Sequence, residues 1–218
     1  MKHHPDYEWL EQYAAGSLSV GPALCVAAHM ALCIACRNQV AAMQRVGGAL
    51  LTEIGSMPIG DSVLQAIFAK IDSEPAATVL PVIHNTVVGA VDSDIPTPLR
   101  QWVSRGYDRL TWSRALPSLR IAALDVGDEQ YQVALHRIGA GGSVATHDHS
   151  GSELTLVLRG SFSDEAGVYS SGDFLVREPN QPHRPIAAQN GECICLAAVA
   201  GPVRFTGPLM RWVNPLLR

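Results

Sequence analysis

The sequence predicts an α+β chain of two domains, a small helical bundle followed by an all-β barrel or sandwich, and three observations carry that expectation. From Asp6 to about Ile71 apolar side chains recur at helical spacing, as in Leu64, Ile67, Phe68 and Ile71. Between Asp72 and Leu99 the composition shifts to Pro75, Pro81, Pro96 and Pro98 among scattered Ser, Thr and Asp, which resists continuous helix. Beyond Trp112 the apolar runs become short and are punctuated by Gly139, Gly142, Gly151, Gly160, Gly167 and Gly172, the spacing of a multi-stranded sandwich or barrel.

Taken in order, Leu10, Tyr13 and Ala14 share one face of a first helix, and Gly16-Ser17-Leu18-Ser19 breaks it and offers a Ser cap to the next. Gly47-Gly48 and Gly55-Ser56-Met57-Pro58 are expected to weaken or stop the third, giving three or four short helices over residues 1–85. Residues 86–100 read as a linker and 101–218 as the second domain. Its predicted strands include Tyr131 to Ile138, Leu154 to Leu158, Phe174 to Val176 and Cys193 to Val199. Trp102, Tyr107 and Trp112 are placed to cover a barrel end or a domain contact, and Asp125 to Glu129 reads as a solvated acidic turn.

Composition narrows the function. The 218 residues carry a net charge of -4 with no Lys/Arg run, which argues against a nucleic-acid surface, because phosphate binding needs clustered positive charge. Proteins or small molecules are the expected partners. No apolar run approaches the roughly 18 residues of a membrane span, and the segment from Met1 to Tyr13 lacks the apolar core of a secretory signal, so a cytoplasmic location is expected. In a reducing compartment five cysteines, an odd number, point to metal or redox chemistry more than to a disulfide framework.

In His147-Asp148-His149 two imidazoles lie two residues apart, so on an extended strand they face the same side and can share an ion. Glu153 opens the apolar run Glu153-Leu154-Thr155-Leu156-Val157-Leu158, where a buried carboxylate needs a partner and a metal is an effective one. His183 follows Pro179 and Pro182 on a turn that can return to the same place. The alternative is a polar, His-rich turn that happens to precede a strand. Three His and one carboxylate suit a four-coordinate Zn²⁺, or Fe²⁺, Mn²⁺ or Ni²⁺ with open positions. The spacing Gly141-x5-His147-x-His149-x3-Glu153-x6-Gly160 resembles the first cupin motif in full. Gly172 and His183 keep the separation of the second motif, with Asn180 where a Gly is usual and Ala187 where an Asn is usual. The resemblance implies that the C-terminal domain is a cupin barrel.

In the helical half, His29-x3-Cys33-x2-Cys36 sets two thiolates across a tight turn with an imidazole one helical turn before them. A fourth ligand is needed, and His4, or else His3, is available. Two buried small side chains would explain the cysteines equally simply. A thioredoxin-like redox pair would need a strand leading into the motif, and none is predicted. His-x3-Cys-x2-Cys behind an N-terminal His resembles the zinc-binding anti-sigma domain. That domain followed by a linker and a cupin is similar to the ChrR family of anti-sigma factors. Tyr13-Ala14-Ala15-Gly16, Val46-Gly47-Gly48 and Cys193-Ile194-Cys195-Leu196-Ala197-Ala198 fit the family as well.

The resemblance implies a Zn²⁺ site at His4, His29, Cys33 and Cys36 and a second metal site at His147, His149, Glu153 and His183. It further implies a non-enzymatic regulator that sequesters an extracytoplasmic-function sigma factor, binds neither nucleic acid nor membrane directly, and lets go on an oxidative signal such as singlet oxygen or organic hydroperoxide. The rivals are a cupin oxygenase or isomerase with a helical accessory domain, and a metal-dependent sensor with another protein target. Cys193 and Cys195 alternate onto one face of a strand, as a redox pair or as barrel packing. His84 and His136 are expected to be ordinary solvated or hydrogen-bonded side chains.

Overall fold

Helices come first and strands second, in the order the apolar periodicity predicts. The computed structural model describes residues 1–73 and 94–205, with only the backbone of 203–205. Residues 74–93, which include His84 and most of the expected linker, and those after 205 lie outside the described residues.

Helix α1, Tyr7–Ala15, ends where Gly16 turns left-handed at φ 69° and returns its N–H to the carbonyls of Gln12 and Tyr13. Helix α2, Val20–Leu32, is almost wholly apolar and buries Leu24, Cys25, Val26, Ala28 and His29. The backbone turns extended at Cys33, and α3, Ile34–Glu53, starts immediately after it. This helix runs straight through Gly47-Gly48, where the pair is expected to weaken or stop it, and ends at Glu53, just ahead of Gly55-Ser56-Met57-Pro58. Two glycines cost roughly 1 kcal/mol each relative to Ala, and the Ala-, Met-, Gln- and Leu-rich residues on either side sustain the helix. Helix α4, Asp61–Ser73, buries none of its residues.

Among the described residues eleven strands follow: β1 Ser113–Arg114, β2 Leu119–Ala123, β3 Tyr131–Ile138, β4 His147–His149, β5 Glu153–Arg159, β6 Ser161–Asp164, β7 Gly167–Ser170, β8 Phe174–Arg177, β9 Ile186–Ala187, β10 Cys193–Ala200 and β11 Val203–Phe205. Six form an antiparallel sheet in the order β1-β2-β3-β10-β5-β8, and the smaller sheets β7-β6-β9 and β11-β4 complete the barrel wall. Alternation along β5 and β10 decides which side chain faces where. Val157, Cys193 and Cys195 point into the barrel with Leu119, Phe162 and Leu175. Leu154, Leu156, Leu158, Ile194 and Leu196 point outward, and α2 packs on them, with α1 against α2 and α3.

The six-stranded sheet is therefore covered on both faces, which is why Cys193–Ala200 reads as an unbroken apolar run. Ile95, Leu99, Val103 and Tyr107 belong to the same outer core, so the described end of the expected linker is wedged between helices and sheet instead of lying free. Tyr107 is fully buried there, with Trp102 and Trp112 packed around it.

Candidate metal centres

The inner group is assembled by β4, the start of β5 and the β8–β9 loop. The ligand-type atoms of His147, His149, Glu153 and His183, all buried, lie within 4.8 Å of one another. Extended backbone brings His147 and His149 to one side, and an exchange of backbone hydrogen bonds between His147 and His183, at 3.2 and 3.0 Å, ties the loop to β4. The intervening Asp148 pins that loop as well, its Oδ1 accepting from the N–H of Asn180 at 3.1 Å. Asn180 adopts φ 67°, which explains how Asn serves at the position where the motif usually has Gly: its short polar side chain tolerates the left-handed region.

Each flanking imidazole is oriented by its far nitrogen. His147 Nδ1 lies 2.9 Å from the carbonyl of Ala145 and His183 Nδ1 3.3 Å from that of Gln181, which leaves Nε2 of each ring as the ligand atom. His149 Nε2 and His183 Nε2 stand 2.9 and 3.4 Å from Glu153 Oε2. Among the described residues the buried Nδ1 of His149 has no hydrogen-bond partner and its buried Nε2 faces only the Glu153 carboxylate, an arrangement a cation ligated between them would explain.

Burial, followed by the neighbouring His183, lowers the His147 pKa to about 4, so the ring is neutral and free to ligate. Burial pushes the Glu153 carboxyl up, but the adjacent His149 and the other imidazoles pull it further down, so it is a carboxylate. This donor set suits a divalent ion, and the two spacings, 2.9 and 3.4 Å, lie close to the edges of roughly 3.0 to 3.4 Å expected for bonds of about 2.1 Å.

Beside this group the barrel encloses a cavity of about 350 Å³ walled mainly by apolar side chains, among them Leu119, Ile121, Phe162 and Leu175. His136 lines it too, its pKa lowered by burial, and sits directly across from Cys195 in the β3–β10 register. Arg177 borders the cavity, bonded to Asp164 at 2.5 Å and to the Tyr169 hydroxyl at 3.0 Å. Cys193 and Cys195 are buried with their Sγ atoms 3.6 Å apart. The close Cys193 thiol and burial push the Cys195 thiol up, so Cys195 is protonated and weakly nucleophilic.

The outer group brings His4, His29, Cys33 and Cys36 equally close, within 4.8 Å. His4 Nδ1 is 3.4 Å from His29 Nε2, from Cys33 Sγ and from Cys36 Sγ, and His29 Nε2 is 3.3 Å from Cys36 Sγ. Tetrahedral Zn²⁺ with Zn–N near 2.0 Å and Zn–S near 2.3 Å predicts edges of roughly 3.3 to 3.6 Å. Burial and then Cys33 push the Cys36 thiol up to about 12, and a bound cation is what would hold it as thiolate. His29 is neutral, its pKa lowered to about 4 chiefly by burial. It is His4, not His3, that joins the group; the His3 ring stacks edge-on against Tyr169 instead.

Sequence reading missed the residues that support this group from the barrel: Gly172, whose carbonyl lies 2.9 Å from His29 Nδ1, and Asp173. It also missed Asp128, whose Oδ2 accepts from the N–H of Gly21 at 2.7 Å at the start of α2. All three contacts involve main-chain groups, which leave no side-chain pattern to read.

Comparison with known proteins agrees with this architecture. The family described as the ChrR cupin-like domain matches residues 103–203. The anti-sigma-E factor ChrR of Cereibacter sphaeroides is 34% identical over 218 residues, covering 100% of this chain and 99% of that protein. A crystal structure of Rhodobacter sphaeroides SigE in complex with the anti-sigma ChrR aligns over 91% of this chain and 98% of the matched chain, at 33% identity and a TM-score of 0.77. With similarity running through both the helical unit and the barrel, the chain belongs to the ChrR family of anti-sigma factors.

Proposed function

We propose that this protein sequesters an extracytoplasmic-function sigma factor in the cytoplasm, by laying its unpartnered helical faces on the surfaces that the factor uses for polymerase or promoter. The observation that carries this reading is the row of apolar side chains left in the open on the distal half of α3 and on α4. Val46, Leu50 and Leu51 are exposed on the first, with Ile54 just past its end, and Val63, Leu64, Ile67, Phe68 and Ile71 on the second. Exposed apolar surface this continuous marks a protein interface. The similar ChrR chain was solved bound to SigE. No single helix among the described residues is long and apolar enough to cross a membrane.

In this reading residues 1–85 are the gripping domain with a structural Zn²⁺ at His4, His29, Cys33 and Cys36. Residues 86–100 link it to the cupin domain, 101–218, which holds a divalent metal at His147, His149, Glu153 and His183. The cupin makes release responsive to an oxidative signal, singlet oxygen or organic hydroperoxide. The apolar cavity beside its metal group supports that role, since it admits a small apolar molecule to the ligands.

Coexpression with the candidate sigma factor tests the proposal. A soluble one-to-one complex that blocks transcription, lost on Leu51→Lys or Phe68→Glu with metal content unchanged, is the expected result. Failure to retain any sigma factor, together with metal-dependent turnover of a small molecule by the purified protein, would replace this reading with an enzymatic one.

A further inference from the structure

The N-terminal segment ahead of α1 does not hang from the helical unit alone. It lies along the barrel at the turn between β7 and β8. Asp173, 2% exposed, accepts at Oδ1 from the N–H of Lys2 at 2.6 Å and from the N–H of His3 at 3.1 Å. The N–H of Phe174 donates to the carbonyl of His3 at 3.0 Å, so both backbone groups of His3 are held by the barrel. Asp173 is itself fixed, its Oδ2 accepting from the N–H of Ser170 at 2.8 Å. Gly172 at φ 91° makes the turn, and a Cβ there would stand 2.5 Å from Met1.

The next residue is His4, which Pro5 restricts to extended backbone. His4 is the exposed member of its group, one residue beyond the two backbone groups of His3 that the barrel holds. On the other side of the same turn, His29 Nδ1 donates to the carbonyl of Gly172 at 2.9 Å, which selects the tautomer whose Nε2 lone pair faces the cysteines. The Phe174 ring meets the His29 ring edge to face, with centroids 5.6 Å apart.

From this we infer that the cupin turn Ser170–Phe174 is a positioning element for the metal group of the other domain: Asp173 places His4 and the Gly172 carbonyl orients His29. Retention of the outer metal is then set by the barrel. The inference rests on the proposed metal at His4, His29, Cys33 and Cys36. It also gives that reading a physical route between domains. Strand β8 begins at Phe174 beside the outer group, while Leu175 and Arg177 on the same strand line the inner cavity, and Arg177 pairs in register with Glu153. A displacement of β8 at the inner group is a displacement of the turn that holds His4.

The test uses the full-length chain loaded with Co²⁺, because the thiolate-to-metal charge-transfer absorption reports the Cys-containing group and not the inner one. Chelator competition followed at that band should show Asp173→Ala lowering metal affinity by about 10- to 100-fold, the usual cost of removing a residue that orients a ligand. Asp173→Asn, which keeps one acceptor oxygen, should restore most of it. His3→Pro removes the N–H donor from the opposite partner while leaving every barrel residue in place and should weaken binding in the same direction, even if Asp173→Ala does not fold; His3→Ala, which loses only the ring contact with Tyr169, should weaken it less. Asp128→Ala breaks a comparable barrel-to-helix bond far from the metal and should lower the melting temperature while leaving affinity unchanged.

Equal affinity in the unmodified, Asp173→Ala and His3→Pro chains overturns the inference. So does an equal loss in Asp128→Ala. Absence of the thiolate band in the unmodified chain overturns the metal reading first, and the inference with it.

Discussion

The two four-residue groups are built on opposite plans. The inner group draws every residue from the barrel, and the groups that orient its imidazoles, the carbonyls of Ala145 and Gln181, lie on the barrel too. The outer group draws its residues from the helical unit but relies on the barrel for Gly172 and Asp173. The same asymmetry appears in apolar burial. The barrel's main sheet is covered on both faces, while α3 and α4 leave most of their large apolar side chains in the open. The inner group is self-contained, whereas the helical unit is finished only by its neighbours, the barrel on one side and a partner protein on the other.

Removing ligands should break this contrast most visibly. Elemental analysis is expected to find about two metals per chain, with Cys33→Ala and His147→Ala each losing one. Cys33→Ala should also unravel the helical unit and end sigma binding, since a structural Zn²⁺ contributes on the order of 10 kcal/mol to the fold it closes. His147→Ala should leave the helical circular dichroism and sigma binding in place. Unchanged stoichiometry in either variant removes that group from the scheme.

Core truncations sharpen it on a smaller scale. Leu156 is fully buried in the outer core, so Leu156→Ala should cost about 2–5 kcal/mol in denaturant unfolding. Leu50 is 65% exposed, so Leu50→Ala should stay within about 0.5 kcal/mol while weakening the sigma complex. A large stability loss at Leu50 would mean that α3 is covered within the chain.

A modest effect confined to stability is expected at Asp128. Ser19, at the cap position of α2, makes no capping hydrogen bond through its side chain, and Asp128 supplies one from the β2–β3 loop, so Asp128→Ala should cost about 1 kcal/mol. Burial pushes the Asp128 carboxyl up, but the N–H groups of Gly21, Tyr131 and Gln130 outweigh it and hold the pKa below the usual range. A lowered folded-state pKa contributes stability that is complete above the unfolded value of about 4 and is lost as the pH falls through the folded one. Melting curves through that acid range should therefore fall less steeply for Asp128→Ala than for the unmodified chain.

Much of this was legible in the residues. Both groups rest on short-range spacing, His29-x3-Cys33-x2-Cys36 and His147-x-His149-x3-Glu153, that helix and strand geometry turns directly into proximity. Strands such as Tyr131–Ile138 and Cys193–Ala200 follow from apolar runs between turn residues. The passage of α3 through Gly47-Gly48 was not legible, because the glycine penalty is local and the flanking propensity is summed over several turns. Nor was the burial of Ile95 and Leu99, whose neighbouring prolines suggest an exposed connection while the hydrophobic effect draws them under the helices. Asp173 and Asp128 look like ordinary turn acids until the fold brings main-chain amides 170 and 107 residues away to their oxygens.

Helix α2 is thirteen residues long, a rod of about 20 Å. Asp128 grips it at Gly21 and Gly172 grips it at His29, so it is a beam supported at both ends on two separate loops of the barrel. A beam held in this way passes on a relative movement of its supports instead of absorbing it. Just past the second support comes the extended residue Cys33, where α3 begins. A small twist between the two loops would therefore swing the far end of α3, and the exposed row from Val46 to Ile54 with it, through a larger arc than the barrel itself has moved.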